Sequence, residues 1–412
     1  MFNKAISTIG VLFFAATLLL AAPARPDARR MAKLVERNLD FAAEQAMLMY
    51  DSVKDMPGKL PNQTNVRGEF VVCSSHSWVS GFYPGLLWYI YEYTDDEKVM
   101  AAARDLTSRL EVEQYNKDSH DVGFILNCSY GNGYRLTGDP AYRQVLINGA
   151  NSLSTRFNPT IGCTRSWKPR FGWDFIVIID NMMNLELLEV ASHISGDPAF
   201  DEIARTHANT TNRNHFREDG SSVHVIDYDE ASGKINQRVT RQGLSDDSAW
   251  SRGQAWGLYG FTMMYRETGD TAYLDRAISI ADYISSHKNL PKDKIPYWDF
   301  DAPAGKDTPR DASAGALMAS ALVELSQYVD EQVRSERYLR LAEQMIRSLS
   351  GRHYRASKLG DNSNFILRHA TVFYAKGNYD TALTYADYYY VEALMRYKRL
   401  LEGRPVVESN GK

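Results

Sequence analysis

The chain is predicted to be all-α, assembled from stacked helical hairpins, and one recurring motif carries most of that prediction. It reads Thr137-Gly138-Asp139-Pro140-Ala141-Tyr142, then Ser195-Gly196-Asp197-Pro198-Ala199-Phe200, then Thr268-Gly269-Asp270-Thr271-Ala272-Tyr273. Weaker echoes stand at Thr94-Asp95-Asp96-Glu97 and Gly377-Asn378-Tyr379-Asp380. Glycine in such a place ends one helix in the left-handed conformation, aspartate caps the next, and proline fits its first turn. The second observation is the helical periodicity after each motif: Val145, Leu146 and Ala150 after the first, Ala277, Ile280 and Ala281 after the third. The third is the interval of roughly 45 to 75 residues, at or somewhat above the periods of helical repeat arrays. Helix pairs of this kind stack as an open solenoid or close into a double ring, an (α/α)-barrel. Irregular spacing leaves long individual loops between pairs, and such loops carry sites.

From the N-terminus, Lys4 precedes an apolar stretch, Val11–Ala22, broken only by Thr17, and Ala22-Pro23-Ala24 offers a small-x-small cleavage point. Residues 1–24 are therefore predicted to be a secretory signal peptide and the protein to be exported, with a periplasm as the expected destination. The apolar stretch is short and runs into polar, Arg-rich sequence, which disfavours a membrane anchor. No linker-like composition divides the rest, so residues 25–412 are expected to form a single domain.

The 412 residues are 44 % hydrophobic and 12 % aromatic, enough for a large core, and the net charge is −4. There is no basic field to attract nucleic acid, and an anionic substrate would need local cations. Cys73, Cys128 and Cys163 are an odd, scattered set without CxxC spacing, so no disulfide framework is expected. No HExxH and no Cys/His cluster at zinc spacing occurs, so neither a metal nor a cofactor is expected. Gly131-Asn132-Gly133 with Gly138 lacks the spacing of a dinucleotide loop. Monomer and homodimer are both open.

Four segments are dense in chemistry. Trp78-Val79-Ser80-Gly81-Phe82-Tyr83-Pro84-Gly85 offers aromatics that either pack a loop or form a stacking wall for a sugar. In Ser119-His120-Asp121-Val122-Gly123-Phe124, Asp121 stands between a polar loop and an apolar helix, where a cap is the ordinary role. Asp180 is in stranger company: Phe175-Ile176-Val177-Ile178-Ile179 leads into it, and Met182, Met183, Leu185, Leu187 and Leu188 follow. It is either an N-cap or a buried carboxyl. Met183 at the third helical position denies it a capping box, and burial raises a carboxyl pKa toward the range of a general acid. The fourth segment runs from Arg241-Gln242-Gly243 to Trp250-Ser251-Arg252-Gly253-Gln254-Ala255-Trp256. Arg252 and Trp256 are four apart on a helix, so a guanidinium could grip a carboxylate bidentately while an indole covers a sugar. Two aspartates, aromatic platforms and an arginine, with no metal motif, point to carbohydrate chemistry.

These segments, with Ile179-Asp180-Asn181 and the late Asp387-Tyr388-Tyr389, resemble glycoside hydrolase family 88, the unsaturated glucuronyl hydrolases, over about residues 35–400. The resemblance implies an (α/α)6-barrel of six helical hairpins and an unusual reaction. Members release the unsaturated 4,5-ene uronic acid from the non-reducing end of polysaccharide-lyase products, hydrating its C4=C5 enol ether. By position, Asp180 resembles the general acid/base and Asp121 the second essential carboxylate. His224, Gln242, Arg252 and Trp256 fall where the family lines its pocket, and Trp78 and Trp167 look like stacking aromatics. The implied partner is an anionic unsaturated oligosaccharide, with a glycosaminoglycan-type polysaccharide as its expected parent.

Two alternatives stand beside it. Family 105, the unsaturated rhamnogalacturonyl hydrolases, shares the barrel and the chemistry; a non-catalytic oligosaccharide-binding protein would have no reason to bury Asp180. The segments His215–Gln242 and Asn289–Arg310 read as site-bearing insertions, the first with a short hairpin near His224–Tyr228. Lys358 and Arg368 are candidate sulfate contacts.

Overall fold

Each full copy of the glycine–aspartate motif makes the predicted helix junction. Gly138, Gly196 and Gly269 take φ of 65°, 76° and 68°, and the side chains of Asp139, Asp197 and Asp270 accept hydrogen bonds from the backbone N–H of Ala141, Ala199 and Ala272. The echo at Thr94–Glu97 does the same with Asp95 in the left-handed position and Asp96 as the cap. The echo at Gly377–Asp380 does not. Gly377 closes a tight turn, and Asn378–Thr381 pairs as a strand with Ala370–Phe373, so the next helix starts only at Thr384.

The computed structural model describes residues 28–408, and the predicted signal peptide lies outside them. In chain order the helices are α1 (Ala28–Val53), α2 (Phe82–Thr94), α3 (Glu97–Ser108), α4 (Val122–Leu126), α5 (Asn132–Thr137), α6 (Pro140–Ser154), α7 (Asn181–Ser195), α8 (Pro198–Asn214), α9 (Ser251–Thr268), α10 (Thr271–Ser286), α11 (Ala312–Leu325), α12 (Gln332–Leu349) and α13 (Thr384–Leu401). A π-helical turn, Asn127–Gly131, joins α4 to α5 into one interrupted element. Consecutive helices pair as α2/α3, α4–α5/α6, α7/α8, α9/α10 and α11/α12, and α13 pairs with α1.

The first member of each pair packs on the next: α4 on α7, α7 on α9, α9 on α11, α11 on α13, α13 on α2, and α2 on the π-turn after α4. The ring is closed. The structure is an (α/α)6-barrel, and the open solenoid is excluded. Composition sorts the layers. Every residue of α11 is buried, whereas α12 buries only Tyr338, Leu339, Leu341, Ala342, Met345, Ile346 and Leu349. A helix apolar all round goes inside; one with a single apolar stripe goes outside.

Because each inner helix is followed by an outer return helix, the inner helices all run the same way. Their N-termini gather at one rim, where the long loops also lie. Their aligned dipoles make that rim favourable to anions.

Candidate active site

Asp180 is placed by a small sheet rather than by a helix cap. Phe175–Ile178 pairs antiparallel with Val225–Tyr228, Ile178 opposite Val225, and the second strand pairs on with Ile235–Val239. The hairpin expected after His224 is therefore present. It recruits the apolar run before Asp180 as a third strand, which explains why that run is β-branched and buried on both faces. Just beyond the paired residues, Ile179 N donates to His224 O at 3.0 Å. Asp180 and His224 consequently emerge side by side, with His224 Nε2 3.9 Å from Asp180 Oδ2.

Asp180 occupies the N-cap position of α7, yet its side chain makes no cap hydrogen bond. It is 8 % exposed and its Oδ2 has no partner. Burial pushes its carboxyl up to about 7; the Arg252 charge opposes that, and the Asp121 charge adds to it. The Trp256 N–H lies near enough to favour the carboxylate, although it completes no hydrogen bond of proper geometry. Desolvation outweighs the cation because the arginine is itself neutralised elsewhere.

Asp121 precedes α4 and likewise does not cap it. Ser119 Oγ donates to its Oδ2 at 2.9 Å, and His120 Nε2 lies 3.3 Å from its Oδ1. The two aspartates converge because α4 and α7 touch backbone to backbone: a Cβ on Gly123 would lie 2.5 Å from Asn184 Cα. Asn184 Oδ1 accepts from Phe124 N at 2.8 Å, and the amides of Asn181 and Asn184 flank His120 Nδ1 at 3.1 and 3.2 Å. His120 is buried, and desolvation lowers its pKa against the pull of Asp121.

A pocket of about 380 Å³ opens onto these groups, lined in part by Trp78, Asp121, Trp167, Asp180, Gln242 and Arg252. The other two sequence-predicted residues stand behind its wall. His224 is stacked on Trp250, with ring centroids 4.3 Å apart, and burial pulls its pKa down to about 3. Trp256 is 0 % exposed, packed on Phe124 and Tyr389, so it presents no face to a sugar. Arg252 departs from expectation too. Its Nη1 donates to Asp311 Oδ2 at 2.8 Å and to Thr371 O, and its Nη2 to Gln242 Oε1 at 3.0 Å and Val372 O at 2.9 Å. The bidentate edge is thus already engaged within the protein, leaving Nε as the unpartnered N–H. Its guanidinium sits over Trp250 and Tyr385 rather than beside Trp256.

The cations left for a substrate are ones that sequence reasoning gave no role, although Arg241 stood at the head of the fourth dense segment. Arg170 lies over Trp167 at 3.8 Å and over Phe171 at 5.6 Å, Arg241 over Phe171 at 5.0 Å and Phe373 at 4.7 Å, and Lys376 over Phe373 at 5.2 Å. They alternate with aromatic rings across the pocket mouth. Among the described residues none of the three is held in a carboxylate ion pair, and the Arg241 charge helps to lower the Arg170 pKa after burial. Phe171 is 59 % exposed with φ of 59°, a strained conformation of the kind found at ligand clamps. These residues come from three separate loops, so no local pattern announces them. Lys358 is exposed and Arg368 lies 3.6 Å from Asp361; neither lines the pocket. Among the described residues, no group of three or more His, Cys, Asp or Glu side chains could hold a metal, and no helix is long and apolar enough to cross a membrane.

A closed (α/α)6 ring with paired carboxyls at the N-terminal ends of its inner helices has the architecture of a glycoside hydrolase. The sequence model of Glycosyl Hydrolase Family 88 matches residues 51–400, and the chain belongs to that family. It is 44 % identical over 330 residues to an unsaturated glucuronyl hydrolase of Formosa agariphila, covering 79 % of this chain and 81 % of that one. An unsaturated glucuronyl hydrolase of Bacillus sp. (strain GL1) is 31 % identical over 364 residues, 85 % of this chain and 94 % of that one. The solved structure of an unsaturated glucuronyl hydrolase specific for heparin superposes with a TM-score of 0.86 at 44 % identity, over 91 % of this chain and all of that one.

Proposed function

We propose that the protein releases the unsaturated 4,5-ene uronic acid from the non-reducing end of polysaccharide-lyase products by hydrating its C4=C5 enol ether. The observation that carries this reading is the Asp180 carboxyl, buried and held near 7. Proton delivery to an sp² carbon needs an acid that keeps its proton near neutrality. Asp180 protonates C4, and the oxocarbenium ion that forms takes a water at C5. The proton lost by that water returns to the Asp180 carboxylate. The resulting hemiketal opens to a ketone at C5, and the hemiacetal left at C1 expels the rest of the saccharide. Asp121, fixed by Ser119 and His120, is an acceptor facing the same pocket, suited to sugar hydroxyls.

The free cations at the mouth and the helix N-termini around it favour an anionic substrate. The heparin specificity of one relative supports a glycosaminoglycan-type oligosaccharide. The leader read in residues 1–24 supports export to a periplasm, and cell fractionation checks it. We take the protein to act as a monomer or homodimer, which sedimentation distinguishes.

The test is a panel of unsaturated disaccharides followed by the absorbance of the double bond. The wild-type protein consumes it, and Asp180→Asn is expected to slow turnover on the order of 10³-fold. A wild-type protein that leaves the double bond intact overturns the reaction, and a fully active Asp180→Asn variant overturns the role of that residue.

A further inference from the structure

The surroundings of Asp180 hold an unusual number of unspent hydrogen-bond donors. Buried polar groups are normally paired, and each exception asks for a reason. Here His224 Nε2, Trp256 Nε1, Tyr385 Oη and Arg252 Nε are all buried without a partner, and so is Asp180 Oδ2. His224, Trp256 and Arg252 bear on Asp180 directly, and Tyr385 feels its charge. His224 Nε2 is 3.9 Å from Oδ2, and the Trp256 N–H and the Arg252 charge both favour the carboxylate. Burial raises the Tyr385 pKa; the Arg252 charge opposes that, the Asp311 charge and then the Asp180 charge add to it, and Ser313 lies near enough to favour the phenolate without completing a hydrogen bond of proper geometry.

The donors are held in their donating forms. His224 Nδ1 accepts from the backbone N–H of Arg241 and of Gln242, both at 3.2 Å, so the ring proton of the neutral imidazole resides on Nε2. Stacking on Trp250 keeps the ring from turning. Indole N–H can only donate. Burial raises the Tyr385 pKa, so its hydroxyl keeps its proton.

We propose that His224, Trp256 and Tyr385 are positioning residues that form a donor cage for the conjugate base of Asp180, closing on the charge that appears when this residue gives its proton to carbon. In the acid form the cage is slack, and Oδ2 and the N–H groups stand apart. As the proton leaves, donors already oriented toward the growing charge strengthen, and interactions that exist only then lower the barrier. This differs from a wall that binds sugar. Trp256 shows no face to the pocket, and neither His224 nor Tyr385 lines it. The inference rests on the proposed hydration reaction.

The charged and titratable groups facing Asp180 are Asp121 from the turn before α4, Arg252 from α9, Tyr385 from α13 and His224 from the residue before the second strand of the sheet. Only the acid form of Asp180 is active, so activity falls as pH rises past its pKa. Deleting a donor to the carboxylate raises that pKa. Trp256→Phe and Tyr385→Phe each remove one donor while keeping an aromatic ring in place; the first also exchanges a buried bicyclic ring for a smaller one, and the second removes only the hydroxyl. Each is expected to move the alkaline limb of the pH–kcat/KM profile up by about half a unit to one unit. Each is also expected to lower kcat about tenfold on the acid plateau, with KM within about twofold. Titration of the Asp180 ¹³Cγ signal in the ligand-free variants should show the same upward shift even where turnover is lost.

An unmoved limb and an unmoved ¹³Cγ titration in both variants overturn the cage, whatever happens to kcat. A rise confined to KM overturns it in favour of sugar contact. Failure of the underlying reaction is a separate result, a wild-type protein inert on unsaturated disaccharides.

Discussion

Arg252 and Asp311 form a fully buried ion pair in the wall of the pocket, Nη1 to Oδ2 2.8 Å, with side-chain exposures of 2 % and 0 %. The other oxygen of Asp311 caps α11, accepting from Ser313 N and Ala314 N. Breaking a buried pair leaves the partner charge stranded, at a cost of about 3–5 kcal/mol. Arg252→Ala is therefore expected to lose about that much stability in chemical denaturation and to lower kcat, since it removes the main charge opposing the raised Asp180 pKa. A pure rise in KM with unchanged stability would show an arginine free to bind substrate instead.

Asp180 makes the folded state sensitive to pH. Its carboxyl sits at about 7 against an ordinary 3.8, so the native protein binds the proton more tightly than the unfolded chain. The stabilisation from the protonated form is full below about pH 4 and is lost as pH rises through about 7; three pKa units correspond to about 4 kcal/mol. Asp180→Asn carries no such dependence. It should match the wild type near pH 4 and exceed it by up to about 4 kcal/mol at pH 8, measured as the difference between denaturation curves. Asp387, pushed up by burial to about 8, is common to both proteins and cancels in the difference.

Gly123 decides whether the two aspartates meet. A methyl there would lie 2.5 Å from both Asn184 Cα and Asn184 Oδ1, which cannot yield without separating α4 from α7. Gly123→Ala should cost about 1–3 kcal/mol of stability. It should lower kcat far more than any loss of folded protein explains, because Asp121 rides on α4. A fully active variant would mean that the Asp121–Asp180 approach does not matter.

Arg241 bridges Phe171 and Phe373 across the pocket mouth without a carboxylate partner. Arg241→Ala should raise KM for an anionic disaccharide about tenfold at low ionic strength. It should also flatten the dependence of kcat/KM on salt, since exposed charges are screened within about 10 Å at 0.1 M. An unchanged salt slope would assign Arg241 to holding the loops together.

Much of the barrel was legible. The Gly–Asp–Pro junctions are local: a left-handed glycine and an aspartate two residues before a free N–H need no distant partner. The oddity of Asp180 was legible for the same reason, as a charge between two apolar runs. The echo at Gly377 misled because the turn chemistry of a hairpin and of a helix junction use the same residues. Asp121 and Asp180 were both readable as caps, and the structure excludes that for their side chains, since neither bonds the helix that follows it.

The residues whose placement differs from the sequence expectation share one property: their surroundings come from far along the chain. Arg252 is satisfied by Asp311, Thr371 and Val372, and no spacing near residue 252 foretells that. Trp256 shares a helical face with Arg252 in sequence, but ring closure turns that face into the core. Sequence by itself determined the helix junctions and the family, and it singled out Asp121 and Asp180 as candidates, because capping, periodicity and motif order are short-range patterns. The repeat itself left solenoid and ring open, and the family resemblance pointed to the ring that the structure shows. Tertiary structure alone decided that Asp180 is desolvated enough to hold a proton and which cations remain free, because burial and charge pairing depend on contacts between segments remote in sequence.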